Sequence, residues 1–279
     1  MSTPKVISAG HVCLDVTPVF PDAVNVSNLD ELLVPGKLIH MEAANVSTGG
    51  SVANTGLALK LLGNDVALVG KVGNDAFGAM VQQLLAQRGA AGILVDEGCA
   101  TSYSVVIAAP GIDRIFLHHP GANDTFTAAD IPEDALEGVE LFHFGYPPLM
   151  KSMYQDDGDE LVSMLSRMKA EGIATSLDFA AIDPNSSASK ANWELILRKV
   201  APFVDFMVPS FEELCFMLDR SKYEHFVGLG GDMMDHISIE EDVKPLAAKL
   251  IELGCGTVLV KCGTAGIYFC SGSMEGVGE

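Results

Sequence analysis

Strand-like and helix-like runs alternate along most of the chain, and this alternation restricts the architecture more than any other feature. "KVISAG" (5–10), "VALVGKV" (66–72), "ELFHFG" (140–145), "IATSLDF" (173–179), "VDFMVP" (204–209) and "TVLVKCG" (257–263) read as short buried strands. Between them apolar residues recur at helical spacing. One stripe is Phe77, Met80, Val81, Leu84 and Leu85, behind Asp75 as N-cap, and a second is Leu161, Met164, Leu165 and Met168. A third is Trp193, Ile196, Leu197 and Val200, and a fourth Val243, Leu246, Ala247, Leu250 and Ile251. The pattern predicts an α/β fold, a mostly parallel sheet with helices on both faces in three layers. Ligands in such sheets sit at the carboxyl ends of strands, so the residues just after each strand carry the functional information.

Two stretches break the alternation. Residues 33–48, "LVPGKLIHMEAANVST", and 101–119, "TSYSVVIAAPGIDRIFLHH", read as strands with no helix between them, the second with a hairpin turn at Pro110–Asp113. They either extend the main sheet or form a flap over the ligand crevice. No internal repeat and no Pro-, Gly- or Ser-rich linker occurs, so residues 1–279 read as one domain with an appendage. At 279 residues and 48% hydrophobic content the chain can build a substantial core.

Charge and cysteine usage exclude several functions. The net charge of −20, from 17 Lys+Arg against 37 Asp+Glu, argues against nucleic acid or an anionic membrane as partner. No apolar run approaches the roughly 20 residues of a membrane span, and "MSTPKVISAG" lacks a signal-peptide core. A cytoplasmic protein is expected. None of the six cysteines forms a C-x-x-C pair, which reads as small buried hydrophobes in a reducing compartment. The adjacent His118 and His119 point to opposite faces of a strand and cannot chelate one ion together.

Candidate ligand residues follow the first strand. Asp15 there can accept two hydrogen bonds from hydroxyls, or be a solvated loop acid. Gly49 and Gly50 remove side chains before a helical run, letting a ligand approach the backbone, or letting the helix start pack tightly on a strand. Neither a Walker loop nor a dinucleotide fingerprint is present, because Lys60 comes too late and the next glycine is Gly56. Asn54, one turn later, offers a donor and an acceptor in one amide, which suits neutral hydroxyls better than phosphate.

"STGGSVANTGLALKLLGNDVALVGKVGNDAFG" resembles the first signature of the ribokinase-like (PfkB) carbohydrate and nucleoside kinases: G-G-x-x-x-N, a helix, a strand, then G-x-[DN]-x-x-G at Gly73, Asp75 and Gly78. "RIFLHHPGAND" (114–124), "VPSFEELCFML" (208–218) and "VKCGTAGIYF" (260–269) follow in family order. The resemblance implies a ribokinase-like fold with a small β-lid, drawn from about 10–20, 33–48 and 101–120, which closes over a sugar and often makes a homodimer contact. It implies sugar contacts at Asp15, Gly49, Gly50 and Asn54, with Arg114 and Asn123 near the lid; Arg114 reads equally as a surface charge. "PSFEEL" aligns with the N-x-x-E motif that holds Mg²⁺ and phosphate through water: Glu213 matches its glutamate, while Ser210 stands in place of asparagine. Glu212 and Glu213 read equally as first-turn acids favoured by the helix dipole. Lys261, Gly263 and Gly266 match the nucleotide's phosphate side, with Lys261 as a point charge or a plain strand-end lysine.

The activity implied is transfer of the γ-phosphoryl group of ATP, with Mg²⁺, to a sugar hydroxyl. Ribose, fructose, 2-keto-3-deoxygluconate and a nucleoside all remain open, with Tyr103 and Phe116 available to stack on a base. The family's catalytic aspartate lies in a G-A-G-D loop, and no such tetrapeptide occurs in these 279 residues; "GLGGD" (228–232) lies in the wrong context. The expectation is therefore a C-terminally incomplete kinase with poor turnover and no catalytic base of its own. The alternatives are a non-catalytic sugar-binding or regulatory protein on the kinase scaffold, or a nucleoside kinase; a dehydrogenase lacks its fingerprint. The order of the 222–237 stretch, "KYEHFVGLGGDMMDHI", stays open.

Overall fold

The computed structural model describes residues 5–21, 30, 32–111 and 113–272. The chain runs up β1 (Lys5–Gly10), crosses to β2 (Cys13–Val19) and β3 (Glu42–Gly49), and returns through α1 (Gly50–Leu61) to β4 (Asp65–Gly73). Helix α2 (Ala76–Gln87) leads to β5 (Ile93–Asp96), after which β6 (Tyr103–Ile107) and β7 (Ile115–His119) leave the main sheet again. The remainder alternates: β8 (Val139–Gly145), α3 (Lys151–Tyr154), α4 (Asp159–Ala170), β9 (Ala174–Asp178), α5 (Trp193–Val200) and β10 (Phe206–Val208). It finishes with α6 (Phe211–Leu218), α7 (Arg220–Leu229), α8 (Lys244–Glu252), β11 (Thr257–Lys261) and β12 (Ile267–Ser271).

Eight strands form the main sheet in the order β12-β11-β10-β9-β8-β1-β4-β5, parallel except for the β11–β12 pair. A separate four-stranded sheet has the order β3-β2-β6-β7. The stretches that broke the alternation therefore build their own sheet, though only Glu42–Gly49 of 33–48 is strand and residues 33–41 are not. That departure has a local cause, since "VPGK" supplies a proline and a glycine that break a ladder. The turn expected at Pro110–Asp113 includes residue 112, outside the described residues. The 222–237 stretch continues α7 and then makes a short 3₁₀ turn at Met233–Asp235.

Alternation along each strand splits the core in two. Leu68 and Val72 of β4 pack with Val52, Ala53, Leu57, Val81 and Leu85 of α1 and α2. Ile7, Ala9, Val69, Phe142 and Phe144 point to the other side, with Leu161, Met164, Leu165, Ile196 and Leu197 of α4 and α5. The stripes of α4 and α5 are buried as expected. In α2, Phe77 and Met80 are instead 37% and 38% exposed, because this end of the helix faces the small sheet, where Phe77 meets Tyr103 edge-on at 5.5 Å between centroids. Cys13, Cys215, Cys255 and Cys262 are buried and Cys99 and Cys270 half-buried, all as free thiols. Among the described residues no helix is long and apolar enough to cross a membrane.

The strand order reverses at β1: the chain goes from β1 to β4 on one side, then places β8 on the other. A crevice opens outside the strand tips at such a point. The signature element Gly73, Asp75 and Gly78 braces one wall of it. Asp75 caps α2 by accepting from the Gly78 N–H (2.8 Å), and accepts from the N–H and hydroxyl of Thr101 (2.8 and 2.7 Å) just before β6. One carboxylate thus holds the main sheet to the small one. Asp75→Ala removes the cap and leaves the Thr101 N–H without its acceptor, and is expected to cost about 2–4 kcal/mol, read as a lower urea midpoint with an unchanged denaturant slope.

Candidate active site at the strand tips

A cavity of about 870 Å³ lies between the carboxyl ends of the main-sheet strands and the inner face of the small sheet. Its floor is set by backbone contacts at the end of β1. The His11 N–H donates to Gly145 O at the tip of β8 (3.2 Å), and His11 O accepts from the Val52 N–H in the first turn of α1 (3.1 Å). Strand β1, strand β8 and the start of α1 are thereby locked together.

The glycine pair makes room for two side chains. A Cβ on Gly49 would stand 2.2 Å from Asp15 Oδ2, and one on Gly50 would stand 2.6 Å from His11 Nδ1 and 2.4 Å from His11 O. Gly50 also has φ +85°, which only glycine adopts readily. The tight-packing reading of the pair holds: the helix start packs against Asp15 and His11, both of which line the cavity.

Asp15, Gly50, Asn54 and Arg114 all line the cavity, as do His11, Ser104, His118 and Tyr146. Burial raises the Asp15 carboxyl, opposed by the Cys13 thiol, which donates to Oδ1 (3.2 Å), and by the neighbouring Ser104 hydroxyl. Tyr146 follows β8 with a left-handed backbone (φ 68°, ψ 42°), a strained conformation for a bulky residue. Its N–H donates to Asp178 O (3.1 Å). Burial and the Asp178 charge push its phenol up to about 12, opposed by the neighbouring Asn54 carboxamide.

Asn123 has a different role from the one its place in the sequence implies. It is fully buried off the cavity wall, with Oδ1 accepting from Val12 N–H (3.1 Å) and Nδ2 donating to Val12 O and Pro120 O (3.0 Å each). Its carboxamide is spent on the backbone of the β1–β2 link.

The opposite wall carries charge. Lys261, at the end of β11, donates to Asp178 Oδ1 at the end of β9 (2.7 Å), and both it and Glu213 line the cavity. Ser210 and Glu213 form a reciprocal capping box: Glu213 Oε2 accepts from Ser210 N–H (2.7 Å), and Ser210 Oγ accepts from Glu213 N–H (3.2 Å). The helix-cap reading of "SFEE" is thus satisfied, and one Glu213 carboxylate oxygen stays outside the box. Burial raises the Glu213 carboxyl, while the Lys261 charge opposes that. Gly263 and Gly266 form the β11–β12 turn and do not line the cavity. Among the described residues no cluster of three His, Cys, Asp or Glu could hold a metal by itself.

The sequence model of the pfkB family carbohydrate kinases matches residues 12–277. The chain belongs to this family. Fructokinase-2 of Oryza sativa subsp. japonica is 28% identical over 219 residues, which is 76% of this chain and 59% of that protein. Fructokinase-2 of Solanum lycopersicum is 30% identical over 148 residues, 52% of this chain and 41% of that one. The chain therefore spans less than two thirds of the length of these curated relatives. Among solved structures, the fructokinase with bound ATP from Xylella fastidiosa superposes with a TM-score of 0.68 at 18% identity, covering 97% of this chain and 75% of that one. A ribokinase from Giardia lamblia gives 0.68 at 18%, covering 98% and 73%. This pfkB protein has the ribokinase-like α/β fold.

Tyr146 and Asp178 escaped the motif comparison. Both carried a usable signal: one directly follows a parallel strand and the other ends one, where such sheets bind ligands.

Burial holds His11 at about 3 and His118 at about 4, and lowers His143. In the unfolded chain each titrates near 6.5. Between these limits the unfolded chain binds more protons, so each histidine's stabilisation is complete above pH ~6.5 and is lost as pH falls. The raised carboxyls of Asp15 and Glu213 act in the opposite sense. Urea titrations at pH 6 and 5 are expected to show a stability slope smaller by about 1 kcal/mol per pH unit in His118→Asn than in the unaltered chain.

Proposed function

We propose that this chain belongs to an ATP-dependent sugar kinase, contributing the wall that grips the sugar and part of the wall that meets the nucleotide's phosphates. What supports the reading is that a single cavity is lined by Asp15, Gly50 and Asn54 at one side and by Lys261 and Glu213 at the other. In this reading the γ-phosphoryl group of ATP passes to a sugar hydroxyl, and fructose is the first sugar to test because the curated relatives are fructokinases.

Asp15 accepts from two sugar hydroxyls, and Asn54, steadied by Tyr146, offers one donor and one acceptor. Gly49 and Gly50 keep the approach clear, and Arg114 reaches in from just before β7. Asn123 is withdrawn from the sugar contacts and positions the β1–β2 link instead. Lys261 meets a phosphate while sharing its charge with Asp178, beside the Gly263–Gly266 turn.

The residues present fit Mg²⁺ as a nucleotide-borne ion. That ion keeps most of its waters and needs only one or two protein carboxylates besides the phosphates. The spare oxygen of Glu213 supplies one, with the Ser210 hydroxyl able to accept from a metal-bound water. When bound, the ion would neutralise charge on the β- and γ-phosphates. Removal of the hydroxyl proton is not assigned to any of these residues. A homodimer through the four-stranded sheet is also proposed, supported by Val46 and Leu117 exposed on it at 37% and 54%.

Calorimetry with fructose, ribose, 2-keto-3-deoxygluconate and a nucleoside tests the reading without requiring turnover. One sugar is expected to bind, with Asp15→Asn weakening it about 100-fold through two lost charge-assisted hydrogen bonds. Gly49→Ala is expected to do likewise by displacing Asp15, with a near-normal urea midpoint. Binding by none of the four, or equal binding by Asp15→Asn, would overturn the assignment.

A further inference from the structure

Asp15, Ser104 and His118 stand in one cross-strand row. Asp15 is the register partner of Ser104 between β2 and β6, and Ser104 that of His118 between β6 and β7. Side chains in such a row share a face, and all three line the cavity. His118 Nδ1 lies 3.0 Å from Ser104 Oγ, and His118 Nε2 lies 3.3 Å from His11 Nε2, with ring centroids 5.0 Å apart. The row thus runs from the Asp15 carboxylate to a buried histidine on the link between the two sheets.

We propose that His11, His118 and Ser104 form a one-way hydrogen-bond relay that positions Asp15. His11 Nε2–H donates to His118 Nε2, His118 Nδ1–H donates to Ser104 Oγ, and Ser104 Oγ–H donates to the carboxylate. The inference rests on the reading of Asp15 as the residue that grips ligand hydroxyls.

One requirement of the proposal and one observation choose this direction. An ionised carboxylate only accepts, so for Ser104 to hold Asp15 its proton must point to Asp15 and cannot also serve His118. That obliges His118 Nδ1 to carry a hydrogen and leaves Nε2 as the acceptor for His11. At the far end, His11 Nδ1 is buried with no partner among the described residues. The relay leaves a bare lone pair there, whereas the reverse direction would leave a buried N–H with no acceptor, the rarer and costlier defect. Burial also keeps both rings neutral, so each has one hydrogen to give and one lone pair to receive.

The relay makes His11, His118 and Ser104 positioning residues: their effect on the ligand passes through Asp15. The Cys13 thiol, 3.2 Å from Asp15 Oδ1, steadies the same carboxylate from within β2.

Long-range ¹H–¹⁵N spectra of ¹⁵N-histidine-labelled, ligand-free protein test the relay without any variant. The expected result is His118 as the neutral Nδ1–H tautomer and His11 as the neutral Nε2–H tautomer; the opposite pair of tautomers, or rapid averaging between them, would overturn it. A double-mutant cycle on sugar binding is the second arm. His118→Leu is expected to weaken binding about tenfold, His118→Asn to restore most of it by presenting an amide N–H where Nδ1–H stood, and His118→Leu to cost nothing further in an Asp15→Asn background. Losses that simply add would show that His118 acts independently of Asp15, against the proposal. If no sugar binds, the kinase reading fails, while the tautomers still decide the relay.

Discussion

The backbone junction at the end of β1 governs the ligand face of this protein. There the tip of β8 and the first turn of α1 both hydrogen-bond to His11, and the chain leaves the main sheet for the small one. Tight approach at this junction is possible because Gly49 and Gly50 present no Cβ to Asp15 and His11. The same junction lies beside β1, where strand order reverses, so the crevice that parallel sheets leave at a reversal is filled with chosen side chains.

Electrostatics at the site are organised by pairing and burial rather than by net charge. The chain carries −20 overall, yet Lys261 is held beside Asp178 and within reach of Glu213. On the other wall, burial holds His11 and His118 well below the usual imidazole range, so both rings stay neutral. The two walls therefore differ in chemistry: neutral, directional hydrogen-bonding groups on one and a paired cation on the other.

Several residues show how far a sequence reading reaches. Strand and helix periodicity located the main-sheet strands except β5 and β12, and the buried stripes of α4 and α5, because 2.0 and 3.6 residue repeats are local properties. Asp15 and Asn54 were legible from their place after a strand and at a helix start, together with the family resemblance. Asn123 was misread because a carboxamide serves a ligand or a backbone equally well, and only packing says which it faces. Ser210 and Glu213 illustrate the reverse case: S-x-x-E spelled out a capping box, and that local geometry is present whatever else the glutamate does.

By itself the sequence determined the layer architecture, the family, and which residues sit at strand tips, since these follow from short-range periodicity and motif order. Tertiary structure alone decided that Asp15, Ser104 and His118 share a row, that His118 reaches His11, that Tyr146 lines the cavity and that Asp178 pairs with Lys261. Cross-strand register and side-chain burial are set by contacts between residues far apart in the chain, 107 positions for His11 and His118, and no local pattern encodes such distances.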